Sequence, residues 1–75
     1  MKSKCILLVD DEPRVADVVV YVLEQSGFEV LTAKDGDSGL RLFREQNPDL
    51  VLLDLKLPGL SGLELFREMR QLQAV

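Results

Sequence analysis

The sequence predicts an α/β protein in which three βα units build a parallel sheet with helices on both faces. Three short apolar runs alternate with three segments whose apolar residues recur at the spacing of a helix face. Alternation of this kind is typical of parallel strands joined by right-handed helical crossovers. The length of 75 residues allows one domain, and an apolar fraction of 47% is ordinary for a folded chain.

The first βα unit begins with the continuously apolar run at 5–9, which is followed directly by acidic residues. A run of this length predicts a strand that is buried on both faces. A first helical turn tolerates Pro13, and Gly27 is a typical C-terminal cap, so we expect a helix at about 13–26. The residues expected on its buried face follow the spacing of a single helix face: Val15, Val18, Val19, Val22 and Leu23.

The second βα unit is shorter and more polar than the first. Residues 29–33 predict a strand near an edge of the sheet. The following helix is expected at about 36–46, capped by either Asp35 or Asp37, and ends ahead of Pro48 because the residue before proline avoids the helical conformation. Its apolar side is expected to consist of Leu40, Leu42 and Phe43.

The third βα unit begins with a strand at about 50–54, apolar throughout until it reaches Asp54. A helix is then expected at about 61–72. Its start carries a capping-box signature, with Ser61 as the N-cap and Glu64 three residues later. The apolar face predicted for this helix consists of Leu65, Phe66, Met69 and Leu72.

The strand order 2-1-3 is favoured because it places the first helix on one face of the sheet and the other two helices on the opposite face. The first and third strands are then neighbours, about 4.8 Å apart. Ligands of open α/β sheets bind beyond the carboxyl ends of the strands, where the strand order reverses. Because acids follow both strands at this edge, we expect Asp10, Asp11 and Asp54 to meet there.

Three carboxylates at one point require compensation, since two unit charges 4 Å apart repel by about 4 kcal/mol at an effective dielectric near 20. A raised pKa on one carboxyl group is one solution, and a bound cation is the other. Oxygen ligands without histidine or cysteine suit a hard cation, and a small ligand set with room for water favours Mg²⁺ over Ca²⁺. The alternative is that these acids only cap helices and end strands in solvent, although capping does not require acids after both neighbouring strands.

The composition excludes several classes of function. With 13 acidic and 9 basic residues, the net charge of −4 argues against direct binding of nucleic acid. The absence of histidine removes the usual acid–base catalyst. The single Cys5 excludes an internal disulfide framework, and no apolar run is long enough for a signal peptide or a membrane span. We therefore expect a cytoplasmic protein that does not associate with a membrane.

Three segments strongly resemble the receiver domain of two-component response regulators. They are Leu7-Leu8-Val9-Asp10-Asp11-Glu12-Pro13, Ala33-Lys34-Asp35-Gly36, and the run 48–59 that includes Asp54 and the turn Leu57-Pro58-Gly59. The resemblance continues into the third helix and covers the whole chain, but the family has five βα units and this chain supplies three. It implies that residues 1–75 form a partial receiver domain with a truncated flavodoxin-like fold.

The resemblance assigns a role to each residue of the predicted site. Asp54 is implied to be the phosphoacceptor and Asp11 a direct Mg²⁺ ligand, with Asp10 acting mainly through bound water. The backbone carbonyl of Lys56 is implied to complete the protein ligands. The implied function is that of a phosphoacceptor signalling domain rather than an enzyme, with a sensor histidine kinase or a phosphotransfer protein as the donor.

The chain also departs from the family pattern. The family holds the phosphoryl oxygens with a Ser or Thr after its fourth strand and a Lys after its fifth, and Lys56 does not correspond to that lysine. We therefore expect phosphorylation of Asp54 to be impaired. Gly39 stands in the second helix where the family usually has alanine, which costs about 1 kcal/mol in a helix interior.

The sequence also bears on two other classes of function. The third strand has the sequence of a central strand but lies at an edge of the three-stranded order, so it predicts a fragment that associates as a dimer or by domain swapping. A phosphatase with an aspartyl nucleophile is disfavoured, because such enzymes have an acid two residues after the nucleophile and Asp54 is followed by Leu55 and Lys56.

Overall fold

The computed structural model describes residues 3–54 and 62–72. They form a three-stranded parallel sheet of order β2-β1-β3, so the predicted α/β fold and its strand order are confirmed. Three helices alternate with the strands. The elements are β1 (Cys5–Val9), α1 (Pro13–Gln25), β2 (Glu29–Ala33), α2 (Gly36–Gln46), β3 (Leu50–Leu53) and α3 (Gly62–Leu72).

The central strand β1 is the most deeply buried element. Leu7 lies opposite Leu31 of β2 on one side and Val51 of β3 on the other. Leu7 and Val9 are completely buried, and they face α2 and α3 in one core cluster. The remaining buried members of that cluster are Ala33, Phe43, Leu65 and Met69. Burial on both faces therefore explains why β1 is apolar throughout.

The other predicted apolar positions of α2 and α3 fall into two groups. Leu40 and Leu42 are partly buried and pack against the core cluster, in agreement with the predicted side of α2. Phe66 is 46% exposed, so its assignment to the buried face of α3 is wrong. It lies one residue from Leu65, about 100° around the helix, and faces the edge of the sheet beside β3. The side chain of Leu72 lies outside the described residues.

The predicted buried face of α1 is only partly correct. Val15, Val18 and Val22 are 48%, 64% and 54% exposed, whereas Val19 and Leu23 are half-buried. The side that turns inward carries the half-buried residues Ala16, Val19, Val20 and Leu23. The helix contains two overlapping apolar stripes at helical spacing, and periodicity cannot show which of them faces the sheet.

The apolar sequence of β3 suggests burial on both faces. In the structure, only one face packs against the core cluster. Leu50 and Leu52 are 52% and 36% exposed, while Val51 and Leu53 alternate with them and pack against the core cluster. The strand ends at Leu53, one residue earlier than expected. The face of β3 that carries Leu50 and Leu52 is thus only partly covered by the described residues.

The ends of the elements follow local chemistry. Of the two candidates for the cap of α2, Asp35 is the one that accepts a hydrogen bond from the backbone N–H of Ser38, at 2.8 Å. The helix ends at Asn47, which has the left-handed φ of 47°. Gly27 follows α1 with φ of 93°, a conformation that glycine adopts without strain. The predicted N-cap of α3, Ser61, lies outside the described residues.

A pair of reciprocal hydrogen bonds joins the amino ends of β1 and β3. The Asp49 N–H donates to the Cys5 carbonyl at 2.8 Å, and the Cys5 N–H donates to Asp49 Oδ2 at 2.7 Å. Burial raises the pKa of the Cys5 thiol, and the charges of Glu29 and Asp49 raise it further. The thiol therefore stays protonated and serves as a small packing group.

None of the helices in the described residues is long and apolar enough to cross a membrane.

The cap of α2 gives this helix a dependence on pH. The Ser38 backbone hydrogen bond lowers the pKa of Asp35, helped by the Ser38 side chain and by the charges of Lys34 and Arg41. Because the folded pKa is depressed, the stabilisation is present above the ordinary aspartate range and is lost as pH falls through the folded pKa. We expect Asp35→Ala to reduce the free energy of unfolding at neutral pH and to have a much smaller effect in acid.

Urea unfolding of the wild type and of Asp35→Ala at a series of pH values measures this difference. The matched control is Asp37→Ala, which removes a neighbouring first-turn carboxylate that is not the N-cap. An Asp35→Ala effect of equal size at neutral and at acidic pH would contradict the role of the ionised cap.

The close packing of α2 on β1 explains the glycine at position 39. A Cβ atom added to Gly39 would lie 2.9 Å from Val9 Cγ2 and 3.6 Å from Leu65 Cδ2. Val9 is completely buried and β-branched, so its side chain has little freedom to move. The gain in helix propensity of about 1 kcal/mol from alanine is thus opposed by this overlap.

We expect Gly39→Ala to be less favourable in the wild type than in a Val9→Ala background, where the opposing methyl groups are gone. The expected coupling free energy between the two substitutions is about 1 kcal/mol. Urea unfolding of the wild type, the two single variants and the double variant measures it. Additive effects would show that helix and strand are not in tight contact at this position.

Candidate functional site

The backbone pairing of the strands leads directly into a group of acidic residues. Asp10 follows β1, and its N–H donates to the Ala33 carbonyl at 2.9 Å. Asp54 follows β3, and its N–H donates to the Val9 carbonyl, also at 2.9 Å. The ladder thus extends one residue past the strands, so that the backbones of both acids are fixed by the sheet.

The carboxylates of Asp10, Asp11 and Asp54 lie together at this edge. Each offers one oxygen, and these oxygens are all within 4.8 Å of one another. Asp10 and Asp54 are half-buried, whereas Asp11 is exposed. The structure therefore brings together three of the four residues that the sequence predicts as metal ligands. The fourth, Lys56, lies outside the described residues.

The close approach of the three carboxylates is electrostatically unfavourable. At this separation each pair repels by roughly 3 kcal/mol at an effective dielectric near 20, and less where Asp11 is screened by solvent. A local hydrogen bond offsets part of this repulsion, because the Glu12 N–H donates to Asp10 Oδ1 at 2.9 Å. The same hydrogen bond fixes the orientation of the Asp10 carboxylate, because it ties Oδ1 to the backbone two residues later.

The donor set fits a hard divalent cation. It consists of carboxylate oxygens without nitrogen or sulfur, which is the ligand chemistry that Mg²⁺ prefers. Two hollows open beside the site, so that water and a small phosphate group can reach it. One of about 330 Å³ is lined by Asp10, Glu12 and Asp54 above an apolar floor, and one of about 360 Å³ is lined by Asp10, Asp11 and Lys34.

Two contributors to the site were not recognised in the sequence. The first is the Glu12 N–H, which the Asx-turn pattern of an aspartate two residues before it can reveal. The second is Lys34, which lines the hollow beside Asp10 and Asp11. Lys34 directly follows β2, so the same edge-of-sheet reasoning that gathered the aspartates also places it there.

Comparison with known proteins identifies the family. A sequence model described as the response regulator receiver domain matches residues 6–75 of the chain. The chain belongs to this family. The resemblance noted in the sequence is thereby confirmed, and the chain is a signalling domain of the two-component class.

Individual relatives of this receiver domain agree with the assignment. It is 44% identical over 69 residues to the alkaline phosphatase synthesis transcriptional regulatory protein PhoP of Bacillus subtilis, a match that covers 92% of this chain and 29% of PhoP. It is 43% identical to the response regulator TrrA of Thermotoga maritima in complex with Mg²⁺ and BeF, with a TM-score of 0.90 over 93% of this chain and 61% of TrrA.

A further structure contains TrrA in complex with the histidine kinase ThkA. That TrrA chain is 43% identical to this receiver domain with a TM-score of 0.88, over 93% of this chain and 60% of TrrA. The receiver domain described here therefore spans less than a third of PhoP and about three fifths of TrrA.

Proposed function

We propose that this receiver domain accepts a phosphoryl group on Asp54, with Mg²⁺ bound by Asp10, Asp11, Asp54 and the backbone carbonyl of Lys56. The observation that carries the proposal is the group of three carboxylate oxygens within 4.8 Å of one another at the ends of neighbouring parallel strands. The similarity to TrrA, which has been crystallised with Mg²⁺ and BeF, supports a divalent cation at this site.

Each residue of the site has a distinct task in this proposal. The Asp54 carboxylate attacks the phosphorus of the donor and forms an acyl phosphate, while the electrons of the broken bond leave with the donor group. Asp11 would hold the metal directly, and Asp10, oriented by the Glu12 N–H, would hold it mainly through water. When bound, Mg²⁺ supplies positive charge that offsets both the carboxylates and the phosphoryl oxygens.

The proposed donor is a sensor histidine kinase or a phosphotransfer protein in the cytoplasm. The crystallised complex of TrrA with the kinase ThkA supports a partner of this kind. With a net charge of −4, the chain is not expected to contact nucleic acid itself.

The metal and phosphoacceptor roles can be tested on the same samples. We expect millimolar Mg²⁺ to shift the backbone NMR signals of residues 10, 11 and 54, and Asp11→Asn to weaken this binding by roughly tenfold or more. Acetyl phosphate with Mg²⁺ should add one phosphoryl group, detected by intact mass, to the wild type and none to Asp54→Asn.

The control is Asp37→Asn, which removes an exposed carboxylate of α2 that does not belong to the group of three. It should bind Mg²⁺ and incorporate phosphoryl groups as the wild type does. Unchanged signals at residues 10, 11 and 54 in several millimolar Mg²⁺ would exclude the metal site. Equal labelling of Asp54→Asn and the wild type would exclude Asp54 as the acceptor.

A second candidate function is self-association through β3. This strand lies at an edge of the sheet, and its exposed side chains Leu50 and Leu52 are apolar. A hollow of about 240 Å³ next to the edge is lined largely by apolar side chains, among them Phe43, Phe66 and Met69. An apolar strand edge with unpaired backbone groups is a template for another strand, so the proposal is that a second copy binds there.

We expect the wild type to form dimers in a concentration-dependent manner, and Leu52→Lys to shift the equilibrium strongly toward the monomer. Sedimentation equilibrium over a wide concentration range measures both. The control is Val18→Lys, which places the same charge on an exposed apolar position of α1 instead of on β3. A wild type that stays a compact monomer at high concentration would rule out self-association.

A further inference from the structure

We propose that Lys34 supplies the counter-charge of the acidic site. Its ammonium group offsets the carboxylate repulsion while no metal is bound, and it opposes the cation when one binds. Lys34 therefore limits how tightly Asp10, Asp11 and Asp54 hold Mg²⁺. The inference rests on the proposed metal site and adds to it a residue that follows β2, on the opposite side of β1 from Asp54.

The pairing of the strands places Lys34 beside Asp10. Val9 lies opposite Ala33 of β2, and the Asp10 N–H donates to the Ala33 carbonyl. In a parallel ladder this hydrogen bond makes Lys34 the next residue opposite Asp10, with the two backbones about 4.8 Å apart. The Asp54 N–H donates to the Val9 carbonyl, so Asp54 lies opposite Asp10 on the other side. Asp10 is therefore flanked by a like charge and by an opposite charge.

Lys34 also faces the exposed part of the site. It lines the hollow of about 360 Å³ beside Asp10 and Asp11, to which α1 contributes Asp17. Among the described residues that line this hollow, three are acidic and Lys34 alone is basic. A lysine ammonium is a compact charge on a flexible four-carbon stem, so it can approach whichever of these carboxylates is least compensated.

The positive charge of Lys34 has opposite effects on the fold and on the metal. Without a metal, a positive charge next to carboxylates that the strand pairing holds together stabilises the folded domain. With a divalent cation in the site, the ammonium group and the metal repel each other, so the same charge lowers the affinity for the metal. A residue that only supported the local structure would affect both in the same direction, because damage to the site weakens the fold and metal binding together.

Lys34 acts on the cap of α2 as well. Hydrogen bonds from Ser38 lower the pKa of Asp35, and the charges of Lys34 and Arg41 lower it further. Asp35 does not belong to the group of three carboxylates, so this contribution to stability is present with and without metal. Only the metal-dependent part of the effect of a Lys34 substitution therefore reports on the acidic site.

Charge variants of Lys34 test the proposal. Lys34→Gln removes the charge and Lys34→Glu reverses it, so we expect them to bind Mg²⁺ roughly threefold and roughly tenfold more tightly than the wild type. Titration followed by the backbone NMR signals of residues 10, 11 and 54 measures this affinity. In EDTA both variants should unfold at a lower urea concentration than the wild type, and Mg²⁺ should raise their midpoints by more. Both differences should diminish at high salt.

Two controls separate this role from general effects of charge and structure. Lys34→Arg keeps the positive charge and should resemble the wild type in both measurements. Lys4→Glu makes the same change in net charge ahead of β1, at the amino end of the sheet, and should leave the Mg²⁺ affinity nearly unchanged.

The possible outcomes distinguish this role from the metal site on which it rests. A wild type without Mg²⁺-dependent shifts at residues 10, 11 and 54 would reject the metal site, and the role of Lys34 with it. A wild type that binds Mg²⁺, together with Lys34→Gln and Lys34→Glu variants that bind it equally or more weakly, would overturn the role of Lys34 alone.

Discussion

The parallel pairing of β1 with β3 is the interaction on which the rest of the molecule depends. It places Leu7 and Val9, both completely buried, at the centre of the core. It also extends beyond the strands, since the Asp54 N–H donates to the Val9 carbonyl. The same hydrogen-bonded ladder that organises the hydrophobic core therefore fixes the distance between the carboxylates that follow the two strands.

At the carboxyl edge of the sheet, the same strand pairing both stabilises the fold and brings like charges together. The burial of β1 and β3 stabilises the fold, but it brings Asp10 and Asp54 together with Asp11 and so produces repulsion. The Glu12 N–H on Asp10 offsets part of this repulsion. Local conflict of this kind is typical of functional sites, because a ligand of opposite charge turns the unfavourable group into a binding site.

The sequence was most informative where one physical requirement dominated. The continuous apolar run of β1 predicts burial on both faces, and the acids after β1 and β3 predict a common site from strand order alone. It was less informative where two solutions have the same pattern. The valines and alanine of α1 form two overlapping stripes, and only the packed structure shows that Val18 faces solvent while Val19 turns inward. Lys34 was missed because its role depends on a neighbouring strand.

The third strand shows most clearly what an apolar pattern cannot define. Four consecutive apolar residues predict that both faces of the strand are buried, but they do not predict which elements bury them. Val51 and Leu53 pack against the core cluster, whereas Leu50 and Leu52 stay 52% and 36% exposed among the described residues. Hydrophobicity in a sequence therefore expresses a requirement for a neighbour without saying which element supplies it.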